Sequence, residues 1–543
     1  MIRYKYQKER VFMKKKMISI LITLVIGFIV FYATLPALNI HSLGFWFFLM
    51  FLFIIYSTTD LLVSYNSIDT WRSIPKRILI GFTFAVVIGI GLPLFNLFLS
   101  PLFHAKEYSN RIVINQDKEF SKEIAPVDFS TLPLLDKASS EKLGDRVMGQ
   151  MPELVSQFYV SDLYSQINYN DSIIRVTPLE YNGLFKYFSN RKEGVKGYIT
   201  VNSVTGKASL KKLKQGMKYV DSAWFNENLN RHLRFKYPTK IFGQKTFEID
   251  NEGNPYWIVP TMKYKGIGLK AEIASIIILD PIDGSSKEYK VEDVPTWVDH
   301  VYSASLIIEQ VNDWGRYKDG FWNASFGQKN VVKTTEGYNY MAMNDDVYLY
   351  TGITSVSTDE SNIGFILTNM RTKETNFYRV PGAEEYSAMD SAKGQVQQMN
   401  YEASFPLLIN LNNRATYLLS LKDAAGLVKM YAFVDVEDYQ KVEITDASLG
   451  IEKASENYLN KIWSETSTSS TTKLEKVIQI KKITSATIDG VSYYYIVDTE
   501  DKKYKCSIKV EKDILPFLEE GNSIQIGYQE EKEVTNIEKI KLN

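Results

Sequence analysis

Three apolar runs crowd the first hundred residues, at 17–35, 43–59 and 78–100. A helix needs about 20 apolar residues to cross the ~30 Å hydrocarbon layer, where lipid offers no partner to an unpaired backbone group. The first and third runs reach that length. The second reaches it when Asp60 lies at the headgroups and Leu61–Val63 extends the helix. Residues 1–100 therefore read as a membrane anchor of three N-terminal transmembrane helices.

Positive charge orients the anchor. Arg3, Lys5, Lys8, Arg10, Lys14, Lys15 and Lys16 precede the first run against Glu9 alone, and residues 36–42 carry no Lys or Arg. Residues 64–77 carry Arg72, Lys76 and Arg77 against Asp69. Lys and Arg gather in short cytoplasmic loops, so the N-terminus and second loop are expected in the cytoplasm and everything past residue 100 outside. A cleaved leader fits poorly, because the first run is too long and residues 34–37 make a weak cleavage site. Asp60 is expected to reach water at the cytoplasmic end, since charge is costly mainly at mid-membrane. Gly89, Gly91 and Pro93 are expected to kink the third span or let a neighbour pack closely.

Past the anchor the chain is rich in Tyr, Phe, Val, Ile, Thr and Asn, a mixture that favours strands, and is too long for one core. Its 63 basic and 63 acidic residues balance, so no global field points to nucleic acid. Cys506 is the only cysteine, which excludes an intrachain disulfide and fits a bacterial extracytoplasmic protein better than an animal secreted one.

Residues 101–135 are polar and aperiodic and read as a stalk. Residues 139–158 carry a helical apolar stripe that Pro152 should split. A device then recurs at 197–210, 276–290, 364–380 and 431–444: an apolar strand, a turn headed by Asn202, Asp280, Asn369 or Asp435, and a second strand. Asn or Asp at that position bonds the backbone two residues on, and Gly206 and Gly284 supply positive φ. Extended segments precede each turn, at 173–179, 255–260, 346–350 and 405–411. Asp293 and Pro295 signal a helix over 296–311, and another is expected over 451–463. The stretches VNSVTGKASL and LDPIDGSSKEY resemble the PepSY-type module, whereas the third and fourth units lack the glycine. The resemblance implies extracytoplasmic binding or inhibitory units, often near peptidases, that are not themselves catalysts.

A Ser/Thr linker at 464–472 marks a boundary before a small all-β lobe at 473–543. Strands are expected at 477–488, 491–499, 503–508, 523–528 and 534–541, with a short helix at 513–519. That pattern resembles an OB-fold, with Tyr493, Tyr494 and Tyr495 placing aromatics on both faces of its second strand. The fold class is thus three transmembrane helices, an α+β ectodomain (136–463) of about four strand–turn–strand units, and an OB-like barrel.

The search for chemistry yields little. His41, His104, His232 and His300 are scattered, and no metal, phosphate-loop or nucleophile-elbow motif occurs. His232 reads as a solvated or capping residue and His300 as a surface or core-edge residue. No catalytic residue, metal or cofactor is assigned. The best contact surface is 312–325, where Trp314, Arg316, Tyr317, Phe321 and Trp322 combine aromatics, arginine and glycine as interface hot spots do. The competing reading is an aromatic loop folded onto its own core. A second candidate, 182–196 with Asn190, Arg191 and Lys192, reads equally as a solvated turn. The expected protein is a non-catalytic binding, scaffold or regulatory component of the bacterial envelope, in the cytoplasmic membrane. Its partners are the lipid bilayer and envelope proteins or cell-wall polymer, with no nucleic acid. The alternative is an envelope hydrolase of glycan or peptide, whose paired carboxylates would stand roughly 5–10 Å apart in a cleft.

Overall fold

The structure, a computed structural model, describes residues 2–63, 68–170, 172–343, 345–356, 358–467, 474–488, 491–508, 510–512, 514–529 and 534–542. It forms two compact units, Met1–Ser455 and Glu456–Asn543. The division falls before the expected linker, of which 468–472 lie outside the described residues; 464–467 finish a helix (Ile451–Ser467).

The chain opens with α1 (Ile2–Thr34), α2 (Leu43–Val63) and α3 (Ile68–Val86). A π-helical turn at Val87–Gly91 joins α3 to α4 (Leu92–Phe98). Three stretches, Met13–Thr34, Leu43–Val63 and Ile74–Phe98, are long and apolar enough to cross a membrane. The π turn falls on Gly89 and Gly91, and Pro93 follows as the second residue of α4 within the same continuous helix. Asp60 departs from expectation. It is buried, ion-paired with the Arg77 guanidinium and accepting from Ser19 Oγ at 3.3 Å, so the seam between the spans satisfies it.

Residues 101–135 are not a free stalk. After α5 (Pro101–Ser109), β1 (Ile114–Lys118) joins a sheet as a parallel edge strand, and α6 (Phe120–Glu123) follows. Ile112, Ile114, Phe120 and Ile124 are buried there at irregular spacing, which is why no period betrayed them.

Four sheets then follow in order, antiparallel except for the β1 edge of the third. The helix α7 (Lys137–Gly149) is capped by Asp136, whose carboxylate accepts from Ser139 N at 2.9 Å, and Pro152 starts the separate α8 (Pro152–Val155) as expected. The first sheet holds β2 (Phe158–Val160), β3 (Ser165–Tyr169), β4 (Ser172–Tyr181), β5 (Val195–Asn202) and β6 (Ala208–Met217), with α9 (Leu184–Asn190) between β4 and β5. After α10 (Leu229–Lys236), the second holds β7 (Ile241–Phe242), β8 (Thr246–Ile249), β9 (Pro255–Lys263), β10 (Glu272–Leu279) and β11 (Ser286–Tyr289). The third follows α11 (Ala304–Tyr317) and adds to β1 the strands β12 (Val332–Thr334), β13 (Asn339–Met343), β14 (Asp346–Ser355), β15 (Thr358–Asn369), β16 (Thr375–Tyr378) and β17 (Gly382–Ala383). The fourth follows α12 (Glu385–Gln395) with β18 (Glu402–Ala403), β19 (Leu407–Leu411), β20 (Arg414–Lys422), β21 (Val428–Asp435) and β22 (Val442–Asp446).

The four Asn- or Asp-headed turns, which lead into β6, β11, β16 and β22, close as their sequences require. Asn202 Oδ1 accepts from Val204 N and Thr205 N at 3.0 and 2.7 Å, and Asp280 Oδ1 from Ile282 N at 2.7 Å. Asn369 Oδ1 accepts from Arg371 N and Thr372 N, both at 2.9 Å, and Asp435 Oδ1 from Glu437 N and Asp438 N at 3.0 and 2.9 Å. The left-handed position four residues after the first three heads is Gly206, Gly284 and Lys373, with φ of 72°, 78° and 66°. Lys373 does there what glycine does in the first two turns.

Neighbouring sheets share cores, and the strand period assigns residues to each. Trp257, Val259, Ile277 and Leu279 face the first core, while Ile258, Ile276 and Ile278 face the second. Val347, Leu349 and Ile366 face the second core, while Tyr350, Phe365 and Leu367 face the third. A sheet buried on both faces reads as an unbroken apolar run rather than an alternation, which explains Ser275–Leu279 (SIIIL).

The second unit contains a closed barrel of β23 (Leu474–Ile488), β24 (Val491–Asp498), β25 (Lys503–Ser507), β26 (Ser523–Gln529) and β27 (Thr535–Leu542), in the order β23-β24-β25-β27-β26. The expected short helix is a 3-10 turn at Leu515–Phe517, and its first residue, Asp513, lies outside the described residues. Cys506 is buried among Ile496, Tyr504 and Ile537, and burial pushes its thiol up to about 12. It is a core residue, not a nucleophile.

Candidate functional site

The aromatic segment singled out in the sequence spans the end of α11. That helix begins later than its Asp293–Pro295 signal suggests. Residues 291–293 form a 3-10 turn, the backbone N–H groups of Asp299 and His300 are held by the Glu248 carboxylate, and Ser303 supplies the cap by accepting from Leu306 N at 3.3 Å. A distant carboxylate thus overrides a local start signal. Leu306, Ile307 and Val311 face the core at helical spacing, and a Cβ on Gly315 would stand 2.3 Å from Val332 O, so only glycine lets α11 approach β12.

The structure divides the five expected contact residues. Trp314 is half-buried against the second core, with the Lys318 ammonium 5.0 Å over its ring. Tyr317 meets Tyr108 edge-on at 6.3 Å. Arg316 is exposed on the helix surface. Beyond the turn at Gly320 (φ 88°), Phe321 packs edge-on to Trp322 at 5.6 Å, and Trp322 stacks on Phe326 at 5.8 Å and 15°. Trp322 and Phe326 are 65% and 78% exposed, so this pair, not Trp314, faces solvent. Phe326 lies just past the segment read from sequence. Its i+4 spacing from Trp322 was the signal available, since residues so spaced share a helical face.

Trp314 also lines an open cleft of about 540 Å³ with Gln116, Lys318, Ile353, Phe377 and Arg379. It meets a second cleft, of about 660 Å³, at Gln116 and Arg379, where Lys118, Phe120 and the Arg414–Asp435 ion pair (2.8 Å) form further walls. Partial desolvation draws the Lys318 ammonium below its ordinary value; Asp319 opposes this and the Arg379 guanidinium adds to it. Lys318 and Arg379 share the first cleft with Asp319, and Glu119 and Glu437 line the second, so polar groups of both signs stand beside the aromatic wall. Gln116, Arg379 and Arg414 were not anticipated, because β1, β16 and β20 meet only in the folded chain. The second sequence candidate places Asn190 at the end of α9 and pairs Arg191 with Glu227 at 3.3 Å.

The histidines serve the architecture. His41, His232 and His300 bond the backbone oxygens of Gly266, Gly284 and Gln166 at 3.0, 2.8 and 2.7 Å, and His104 meets Glu107 at 3.1 Å. His300 is buried rather than at a surface or core edge. Among the described residues no group of three or more His, Cys, Asp and Glu is placed to hold a metal ion. The neighbouring acids Glu248 and Asp299 are sealed from solvent. Burial, then the Glu248 charge, drives Asp299 well above the usual carboxylate range, and Asn168 N donates to it at 2.7 Å. Substrate cannot reach this pair, so it gives no support to the hydrolase alternative.

A buried acid in the first sheet makes stability depend on pH. Burial raises Glu180 from 4.5 to about 7, opposed by Ser222, whose N–H and hydroxyl both donate to Oε2. A raised folded value contributes stability that is complete below the unfolded value near 4.5 and lost as pH rises through 7. Relative to Glu180→Gln, the wild-type chain is therefore expected to lose up to about 3 kcal/mol between pH 4.5 and 8, read as a fall of its melting temperature relative to that of the variant, both in detergent. A difference independent of pH would mean that Glu180 stays ionised throughout.

Compared with models of protein families and with curated proteins, the chain matches none.

Proposed function

We propose that this chain is a membrane-anchored binding or regulatory protein of the bacterial envelope whose extracytoplasmic region works by recognition. The observation that carries the reading is the solvent-facing Trp322–Phe326 stack, which follows in sequence the Trp314 and Lys318 that line a cleft with Arg379. Large rigid aromatics contribute contact area at low entropic cost, and arginine beside them adds directional hydrogen bonding. The Lys and Arg bias before α1 supports a cytoplasmic N-terminus and an outward-facing remainder. The four sheets, with their shared Asn- or Asp-headed turns, support PepSY-like units, and the barrel's strand order with its 3-10 turn before β26 supports an OB-like lobe. Its Lys505 ammonium lies 4.3 Å from the Tyr493 ring centroid, a surface suited to a cell-wall polymer. The main partner is an envelope protein.

The test is partner recovery by crosslinking and affinity capture of the full-length protein from membranes. Trp322→Ser with Phe326→Ser is expected to weaken capture about thirtyfold, the equivalent of ~2 kcal/mol at a hot spot. Both residues are exposed, so the fold should survive the change. Equal recovery by the variant would remove this surface from the proposal.

A further inference from the structure

The first sheet carries a second set of solvent-facing aromatics, and the chain itself indicates what covers them. Phe185 and Phe188 project from α9 and are 83% and 49% exposed, while Tyr187 between them is buried. Phe225 lies 6.0 Å from Phe188, and Trp224 and Phe235 are also exposed. Phe225 holds a φ of 53°, a conformation that a bulky residue adopts only under constraint.

These residues adjoin the first membrane span. The Phe235 ring packs against Phe28, Phe31 and Tyr32 with centroids at 6.3, 5.6 and 5.9 Å. Arg231 lies 4.2 Å over the Tyr32 ring and donates to Tyr32 O at 3.1 Å, while Arg234 donates to Leu35 O at 3.0 Å. The Tyr32 hydroxyl donates to Asn226, next to Phe225, at 3.2 Å. At 1.5 Å per residue, Phe28 lies about 9 Å below the end of α1 at Thr34, within the hydrocarbon of a span this long. Phe235 therefore reaches acyl chains, Phe225 adjoins the same span through the Tyr32–Asn226 bond, and Phe188 packs on Phe225. Lys186, Lys192 and Lys236 flank these aromatics, and Arg191 neutralises Glu227.

We infer that this edge of the first sheet is an interfacial membrane anchor: α9 and the 224–236 segment embed their aromatics in the leaflet at the Tyr32 end of α1, with the lysines on anionic phospholipid headgroups. Aromatic side chains with basic neighbours are the composition that lies in the headgroup boundary. The ectodomain is thus clamped against the bilayer. This holds whatever partner the Trp322 surface takes.

The single cysteine makes the test direct. In full-length protein with Cys506→Ser, nitroxide labels are placed at Phe185→Cys or Phe188→Cys, with Lys207→Cys as the aqueous control. Lys207 lies in the turn at the opposite end of β5 from α9, and all three positions are exposed or nearly so. The protein is reconstituted in phosphatidylcholine–phosphatidylglycerol vesicles, and the relaxation of each label by oxygen and by a water-soluble nickel chelate is compared. Oxygen is expected to dominate at 185 and 188 and nickel at 207, so that the oxygen-to-nickel ratio shifts from below one to above one. Nickel dominance at both 185 and 188 would overturn the inference, whereas loss of the effect in pure phosphatidylcholine would confirm that the lysines bind anionic headgroups.

Discussion

Replacing Arg111 by methionine is expected to destabilise the ectodomain by about 3 kcal/mol, whereas Arg111→Lys should lose roughly half as much. The guanidinium is fully buried where the chain leaves α5. Its Nη1 donates to Glu309 at 2.6 Å and to Asp313, its Nη2 to Ala271 O at 2.6 Å, and its Nε to Glu272 at 3.4 Å. One side chain thus ties the segment after the membrane to β10 and to α11, in a place where the sequence suggested a free stalk. Methionine fills the volume but takes the guanidinium from Asp313 and Glu309 and leaves Glu272 with Lys373 at 3.6 Å as its remaining cation. Lysine keeps the charge but cannot span three acids and a carbonyl with one nitrogen. Denaturant unfolding of the solubilised full-length protein measures both, with proteolysis across 99–118 reporting whether that segment lifts off first. A methionine variant within about 0.5 kcal/mol of wild type would mean that the acids relax into water, as at an ordinary surface pair.

Local chemistry is what the sequence made legible. The turns at Asn202, Asp280, Asn369 and Asp435 were readable because each side chain bonds its own backbone. The five barrel strands were readable because turn residues separate clear apolar runs, and the observed ends differ from the expected ones by three residues or fewer. What stayed hidden depends on distant partners. Lys373 in a glycine's conformation, the late start of α11 under the hold of Glu248, and the capture of β1 by β16 each need a residue far away in the chain. The proposed contact surface was half legible for the same reason. Composition marked 312–325 as aromatic, but only packing separates Trp314, which serves both core and cleft, from Trp322, which stacks outward on Phe326.

Within the anchor, Asp60→Leu and Arg77→Leu are each expected to cost about 3–5 kcal/mol, while the double replacement recovers most of the loss. Asp60 is buried, paired with Arg77 and accepting from Ser19 of α1, and Arg77 Nη1 also donates to Ser57 O at 3.1 Å. Thr23 and Thr59 continue the polar seam at 3.4 Å. Removing either charge takes the counter-ion from the other within the seam, so the three spans must separate or admit water. Removing both leaves leucines that lipid and neighbouring helices accommodate, and the remaining Ser–Thr contacts suffice to keep the helices in register. The measurement is the amount of each variant in the membrane and the fraction that stays folded on heating in mild detergent. Single variants as robust as wild type would mean that the Asp60 carboxylate reaches the headgroups after all. Additive losses in the double variant would mean that the two residues act apart, and the ion pair would then not be what aligns α1, α2 and α3.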